Sequence, residues 1–198
     1  MEDKLSDVEL WQKFEDERLE YEGYCNKIRK GLEDLDEKSG ERALWELVQN
    51  ARDMSSESRI KIELTDTNII FSHHGKPFDY TSFRALVKQD SAKDRNGADQ
   101  VGQYGTGFVT THTFNRLVYV SGPYVVKNGK ETIKGYVQVK DFELDRTLVD
   151  KEEGPKKMKE QLEKVKQFWK GDLLHEISDD ATSFRYDLTP LQIRNVSE

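Results

Sequence analysis

Cysteine is nearly absent. Cys25 is the only one in 198 residues, so no intrachain disulfide and no cysteine-based metal cluster can form. A lone thiol suits a reducing compartment, and a cytoplasmic location is expected. No apolar run approaches the roughly 20 residues of a membrane-spanning helix. The first residues are acidic and lack the apolar core of a secretory leader, so export is not expected. Basic residues are in deficit, with 31 Lys and Arg against 38 Asp and Glu. Residues 1–42 alone hold 8 basic and 14 acidic side chains, so most of the net charge of −7 sits there. This balance gives no support to a nucleic-acid-binding surface, although a local basic patch stays open.

What is present is charge, at 35% of residues, beside an equal share of hydrophobic residues. That composition belongs to one globular domain with a real core, read as residues 1–198. No internal repeat or linker interrupts it. Apolar positions predict a helix over residues 5–36, broken by Asp36-Glu37-Lys38-Ser39-Gly40. A second helix follows, with Ser39 as its N-cap and Arg42 where a capping box would have Glu. Residues 59–64 alternate strictly and predict a half-buried strand. After a turn over residues 65–68, Ile69-Ile70-Phe71 forms the next strand and delivers His73 and Gly75 to its end.

Residues 79–88 read as a short helix and 89–101 as a polar loop. A helix then covers Phe108 to Phe114, and Leu117 to Val120 is a strand. Tyr124-Val125-Val126 and residues 132–139 flank a hairpin turn at Asn128-Gly129. Residues 155–169 form an amphipathic helix opened by Pro155, its stripe of Met158, Leu162, Val165 and Phe168 read as core packing. Residues 183–188 alternate again and close the fold.

Three stretches carry chemistry. In the second helix, Ala43, Leu44, Leu47, Val48, Ala51 and Met54 make an apolar stripe. Glu46, Asn50 and Asp53, at i, i+4 and i+7, line one face beside it. A solvated polar face is the bland reading of that trio. The second stretch is Ser72-His73-His74-Gly75-Lys76-Pro77-Phe78. The third is Gly102-Gln103-Tyr104-Gly105-Thr106-Gly107-Phe108. Three glycines in six residues let a ligand approach the backbone, and the N–H groups at the start of the following helix suit an anion. The spacing is neither that of the phosphate loop ending in Lys-Ser/Thr nor the dinucleotide-binding pattern.

In this order the three stretches resemble the boxes of the GHKL (Bergerat-fold) ATPases, which include gyrase, histidine kinases, mismatch-repair proteins and the ninety-kilodalton heat-shock chaperones. The third stretch is most like the chaperone version. The match covers roughly residues 41–121, with a weaker one near Thr182. The resemblance implies an α+β fold, a two-layer sandwich with helices on one face of a mixed, mainly antiparallel sheet. It implies ATP and Mg²⁺ as ligands, and hydrolysis that works as a conformational switch in a longer protein, of chaperone-like or defence type. Glu46 would be the catalytic base, Asn50 the Mg²⁺ ligand, and Asp53 part of the nucleotide pocket. The backbone from Gly102 through Gln103, Tyr104, Gly105, Thr106 and Gly107 to Phe108 would hold the phosphates. Lys93, in a nucleotide-ordered lid, would contact a phosphate or the ribose, and Thr182 would lie beneath the adenine. Implied partners are ATP and ADP, downstream domains of the same protein, and a nucleotide-dependent homodimer.

The second box departs from the family pattern Asp-x-Gly-x-Gly. His73 stands for the Asp that reads the adenine amino group, Gly75 matches, and Pro77 replaces the second glycine. A neutral imidazole nitrogen can still accept that hydrogen bond. An unperturbed histidine protonates below about pH 6.5, so nucleotide affinity is expected to fall between pH 7.5 and 5.5. A surface turn, or half of a metal site, is the other reading of His73-His74. Only His112 and His175 remain as further histidines, which argues against zinc. A nucleotide-binding interaction module with little turnover is the competing function. A histidine kinase fits less well, since no histidine precedes His73.

Overall fold

Three alternating stretches and one long hairpin build a single sheet. The computed structural model describes residues 6–55, 59–90, 106–128, 132–170, 172–177 and 179–189. Strands β1 (Ile60–Leu64), β2 (Asn68–His74), β3 (Leu117–Asn128), β4 (Thr132–Asp145) and β5 (Ala181–Asp187) lie in the order β1-β2-β5-β3-β4. Every ladder between them is antiparallel. One parallel bridge, Phe78 to Tyr124, lies outside the named strands. Against the sheet pack α2 (Ser39–Met54), α3 (Tyr80–Lys88), α4 (Glu153–Gln167) and a 3-10 helix at Thr106–Thr113, while α1 (Asp7–Glu33) lies against the 3-10 helix, α4 and α3. The expected α+β, two-layer arrangement is present.

Register decides which side chains meet the helices. Ile69, Phe71 and His73 of β2 pair across the ladder with Tyr186, Phe184 and Thr182 of β5, and all six are buried. Their neighbours Ser72, Ser183 and Arg185 point to the opposite face, because strand side chains alternate. On β3, Val118 and Val120 continue the buried row. The core reading of the α4 stripe holds: Met158, Leu162 and Val165 are buried, and the Phe168 ring lies 5.3 Å from that of Phe83.

Four local expectations are corrected. Ser39 is not the N-cap of α2 but its first residue, and Lys38 caps without a side-chain bond. Asp36 takes over the turn: its carboxylate accepts from the Lys38 N–H, the Ser39 hydroxyl and Arg42. Strand β1 is an edge strand rather than a half-buried one, with Ile62 and Leu64 exposed beyond the helical layer. The runs at 117–120 and 124–126 are one strand, with a register shift between Val120 and Gly122. Gly and Pro inside a strand pattern are the signal of such a bulge, and Gly122-Pro123 supplies it. The segment after Gly107 is 3-10 rather than α-helical. The hydroxyls of Thr110 and Thr111 donate to the carbonyls three residues back, on Gly107 and Phe108, at 2.7 and 2.8 Å.

Two polar groups anchor α3. Asp79 caps its N-terminus, accepting from the Ser82 N–H at 2.9 Å, while its second carboxylate oxygen pairs with Lys127 at 3.0 Å. At the other end the buried Arg146 guanidinium donates to the Val87 carbonyl, placing a cation at the negative end of the helix dipole. Burial lowers the Arg146 pKa to about 10. Loss of the cap in Asp79→Ala is expected to cost about 1–2 kcal/mol of unfolding free energy. Asp79→Asn, which keeps the cap and loses only the ion pair, should recover most of that. Urea denaturation of the two variants is the measurement, and equal losses would assign the effect to Lys127.

Candidate functional site

Helix α2 presents its three polar residues to very different surroundings. Asn50 is only 5% exposed, Glu46 is half-buried and Asp53 is open to solvent. Among the described residues, no hydrogen-bond partner is found for Asn50 Nδ2. Glu46 faces the 3-10 helix. A methyl group at Gly107 would collide with its carboxylate, with Oε1 only 2.7 Å from the added carbon. Gly107 thus has a reason for being glycine that its sequence does not disclose.

The strand-end loop closes on the far end of the same helix. A Cβ at Gly75 would lie 3.1 Å from the Met54 Cβ and 3.6 Å from His73 Nδ1. His73 itself is 1% exposed, on the helix-facing side of β2, with its ring stacked 6.3 Å from Phe184 and tilted 6.1 Å from Phe71. Neither ring nitrogen has a hydrogen-bond partner among the described residues. His74 points to the opposite face, where Nδ1 lies 2.6 Å from Asp180 Oδ1. The alternation of β2 therefore settles which histidine faces α2. Thr182, paired with His73 across the ladder, is buried beside Gly122. A side chain at Gly122 would meet its Oγ1 at 2.9 Å, so the bulge in β3 lets the two strands approach there.

The structure therefore brings Glu46 to Gly107, and His73 and Gly75 to the C-terminal end of α2, with Thr182 across the ladder. Lys93, Gly102, Gln103, Tyr104 and Gly105 lie outside the described residues, as do most of the proposed lid and the hairpin turn. The side chain of Thr106 is also outside them. Phe108 is buried, its ring 5.4 Å from that of Phe184. No group of three or more His, Cys, Asp or Glu among the described residues is placed to hold a metal ion.

Sequence reading missed a second buried pair. Gln89, just after α3, contacts His112 on the 3-10 helix, Nε2 to Nε2 at 2.8 Å. This bond joins the two chain ends that flank residues 91–105. Nothing in the local sequence signals it, because the partners are 23 residues apart. Searches against protein-family models, curated proteins and solved structures return no match for this chain.

Burial sets the electrostatics. Desolvation holds the Glu46 carboxyl above the ordinary range. It pulls His73 down to about 4 and His112 down to about 3. The expected loss of affinity between pH 7.5 and 5.5 is thereby corrected: His73 stays neutral across that window, and any dependence carried by its protonation moves to near pH 4.

Stability should respond in two ways. For Glu46, ionisation is disfavoured in the folded state, so a penalty appears as pH rises through the carboxylate range and persists above it. Glu46→Gln is expected to raise the melting temperature at pH 8 and to leave it unchanged at pH 4. Gly107→Ala should displace the mobile Glu46 carboxylate rather than unfold the domain, leaving a melting temperature close to wild type. Thermal melts of both variants check this, and a large loss of stability in Gly107→Ala would show that Glu46 cannot move aside. For the histidines, the unfolded chain takes up protons below about pH 6.5 that the folded chain refuses until about 4 and 3. Stability should fall as pH drops from 6.5, by up to ~1.4 kcal/mol per pH unit for each histidine. Urea denaturation across pH 7.5 to 5 reads the slope, which His73→Asn should reduce.

Proposed function

We propose that this domain binds a purine nucleoside triphosphate, ATP foremost, together with Mg²⁺, and hydrolyses it. The observation that carries the reading is the unmet hydrogen-bonding capacity at the α2–β2 interface. Asn50 Nδ2 and both His73 nitrogens are buried without partners among the described residues. Buried polar groups are normally satisfied, and an orphaned set invites a ligand that completes it. Glu46 lies beside Gly107 in the third box, as the resemblance to GHKL ATPases would have it.

Each group has a chemical task. Glu46 accepts a proton from the water that attacks the terminal phosphorus, and cleavage of the phosphoanhydride bond leaves ADP and phosphate. Its raised pKa makes it a stronger base than an unperturbed carboxylate. The Asn50 amide oxygen is the group that would face the metal, and its unmet Nδ2–H would donate to a phosphate oxygen. Mg²⁺, when bound, supplies positive charge to the phosphate oxygens and takes oxygen ligands. Thr182 lies beneath the base and Asp53 sits at the solvent rim.

His73 changes base selection. Carboxylate accepts only, whereas neutral imidazole has one donor and one acceptor nitrogen that exchange by tautomerism. Adenine presents an amino group where guanine presents a carbonyl, so His73 can meet either.

Calorimetry with non-hydrolysable analogues of ATP and GTP tests binding. ATP is expected to bind with only a narrow advantage over GTP, and the Mg²⁺-dependent part of the affinity should be lost in Asn50→Ala. No binding at millimolar analogue would reject the reading. In a chain that turns over, Glu46→Gln should lower hydrolysis by about 10²–10⁴-fold while binding persists. Intact binding with turnover indifferent to Glu46→Gln would favour the alternative, a nucleotide-binding interaction module.

A further inference from the structure

Helix α3 ends on an unusual residue. Gln89 lies in the left-handed region, at φ 48° and ψ 46°, and its N–H closes the helix onto the carbonyls of Ala85 and Leu86. Glycine is the ordinary residue there, because a Cβ is strained in that conformation. Gln89 is also 2% exposed, although glutamine is seldom buried, and its Oε1 has no partner among the described residues. The backbone needs none of this, since a glycine would end α3 equally well.

What the side chain supplies is one hydrogen bond. His112 Nδ1 lies 3.3 Å from the Asn115 carbonyl, which can only accept, so Nδ1 carries the proton. Nε2 of the neutral ring is then the acceptor, and Gln89 Nε2 donates to it at 2.8 Å. The buried amide and the buried imidazole hold each other in one orientation. A strained backbone and an unmet acceptor, kept for the sake of a single bond, point to a role for that bond.

The bond fastens one end of the 3-10 helix at Thr106–Thr113. Runs of that kind longer than three or four residues are uncommon, because their hydrogen bonds are poorly aligned. Eight residues in this form therefore depend on what grips them. Gly31 of α1 approaches Val109, and the Phe108 ring meets Phe184 of β5 and, edge-on at 6.1 Å, the His112 ring. At the other end, about 10 Å from His112 at the 3-10 rise, Gly107 sits against the Glu46 carboxylate.

We propose that Gln89 is a positioning residue for Glu46: by holding His112 it seats the 3-10 helix on α2, so that Gly107 covers the carboxylate and keeps water from it. The contact stands on this geometry, and its effect on hydrolysis rests on the nucleotide reading. Within that reading Glu46 touches the attacking water, and Gln89 acts only through Glu46.

Gln89→Met and Gln89→Gly test it. Methionine has a similar volume and keeps the backbone strain, losing only the bond. Glycine relieves the strain and loses the bond too. The readout is the gain in melting temperature at pH 8 on Glu46→Gln, measured in each background. That gain comes from removing a desolvated carboxylate, so it should shrink by at least about half in both variants once water reaches position 46. Hydrogen exchange should quicken at the amides of residues 107–109 as well as at His112. An equal gain in all three backgrounds would show that Gln89 only caps α3 and would overturn the proposal, as would the absence of any gain in the wild type. Where the chain hydrolyses nucleotide, Gln89→Met should lower kcat about tenfold with KM unchanged, and should add nothing to Glu46→Gln. A loss of turnover that adds in full to that of Glu46→Gln would also overturn it. The melting comparison decides the contact whether or not nucleotide binds, and calorimetry decides the nucleotide reading apart from it.

Discussion

A neutral imidazole on the buried face of a sheet is the constraint on which the candidate site depends. Strand β2 would otherwise be an ordinary core strand, with Ile69 and Phe71 facing the helices. His73 occupies the third position of that row and is held there by register, because β2 pairs with β5 from Asn68–Asp187 to His74–Ala181. A slip of one residue would send His73 to the outer face and bring His74 inside. Phe71 and Phe184 cannot satisfy the ring nitrogens, and what they contribute is a low dielectric. That environment removes the positive charge and leaves a donor and an acceptor unmet, which costs about 1–3 kcal/mol for each group left so. Asn50 on the facing helix and the Tyr186 hydroxyl on β5 are likewise buried without a partner among the described residues, and a fold that retains such costs is expected to recover them elsewhere.

The same logic extends along α2. Its apolar stripe is spent on the core, with Ala43, Leu47, Ala51 and Met54 buried. The flank beside the stripe meets the 3-10 helix at Glu46 and reaches the end of β2 near Met54, where Gly75 passes close by. Asn50, between them in sequence, is buried with an unmet donor. Glu46, desolvated by its setting, is raised in pKa without a neighbouring charge among the causes. Desolvation alone makes a carboxylate more basic and less comfortable, and a group chosen only for stability would have been a neutral one.

Most of this was legible in the sequence where the signal is local. Period-two alternation found β1 and β5, the apolar run Ile69-Ile70-Phe71 after a turn found β2, helical spacing found α2 and α4, and the Asp79 to Lys88 stretch announced its helix. The trio on α2 and the glycine at 75 were readable for the same reason. Long-range geometry was not. Ile60, Ile62 and Leu64 alternate like a half-buried strand, but burial depends on whether a helix lies above, and β1 is at the edge. Ser39 has the chemistry of a cap, yet Asp36 has it too and sits where the chain turns. Trp11 and Phe14 help mark a helix over residues 5–36, but spacing tells which face is apolar and not whether anything covers it, and both are exposed. Gly122 matters only because Thr182, 60 positions later, packs against it.

Helix α1 joins the two halves of the molecule. Its second half packs on the 3-10 helix that carries Gly107, and the contact is close: a side chain at Gly31 would meet Val109 Cγ1 at 2.8 Å. Its first half carries the exposed stripe. One continuous helix therefore runs from that exposed stripe to the segment whose Gly107 lies beside Glu46. Proximity of this kind is not coupling, since two sites communicate only if both bias an element with two discrete positions. The Gly31–Val109 contact is what bears on that question. The absence of a side chain at 31 lets the helices approach, and a shift of α1 along its axis would break that contact and bring residues three or four positions away toward Val109. Leu32 is itself buried in the core, so such a shift would disrupt packing on both sides of the helix. The close Gly31–Val109 approach and the burial of Leu32 thus tie the second half of α1 to the segment that carries Gly107.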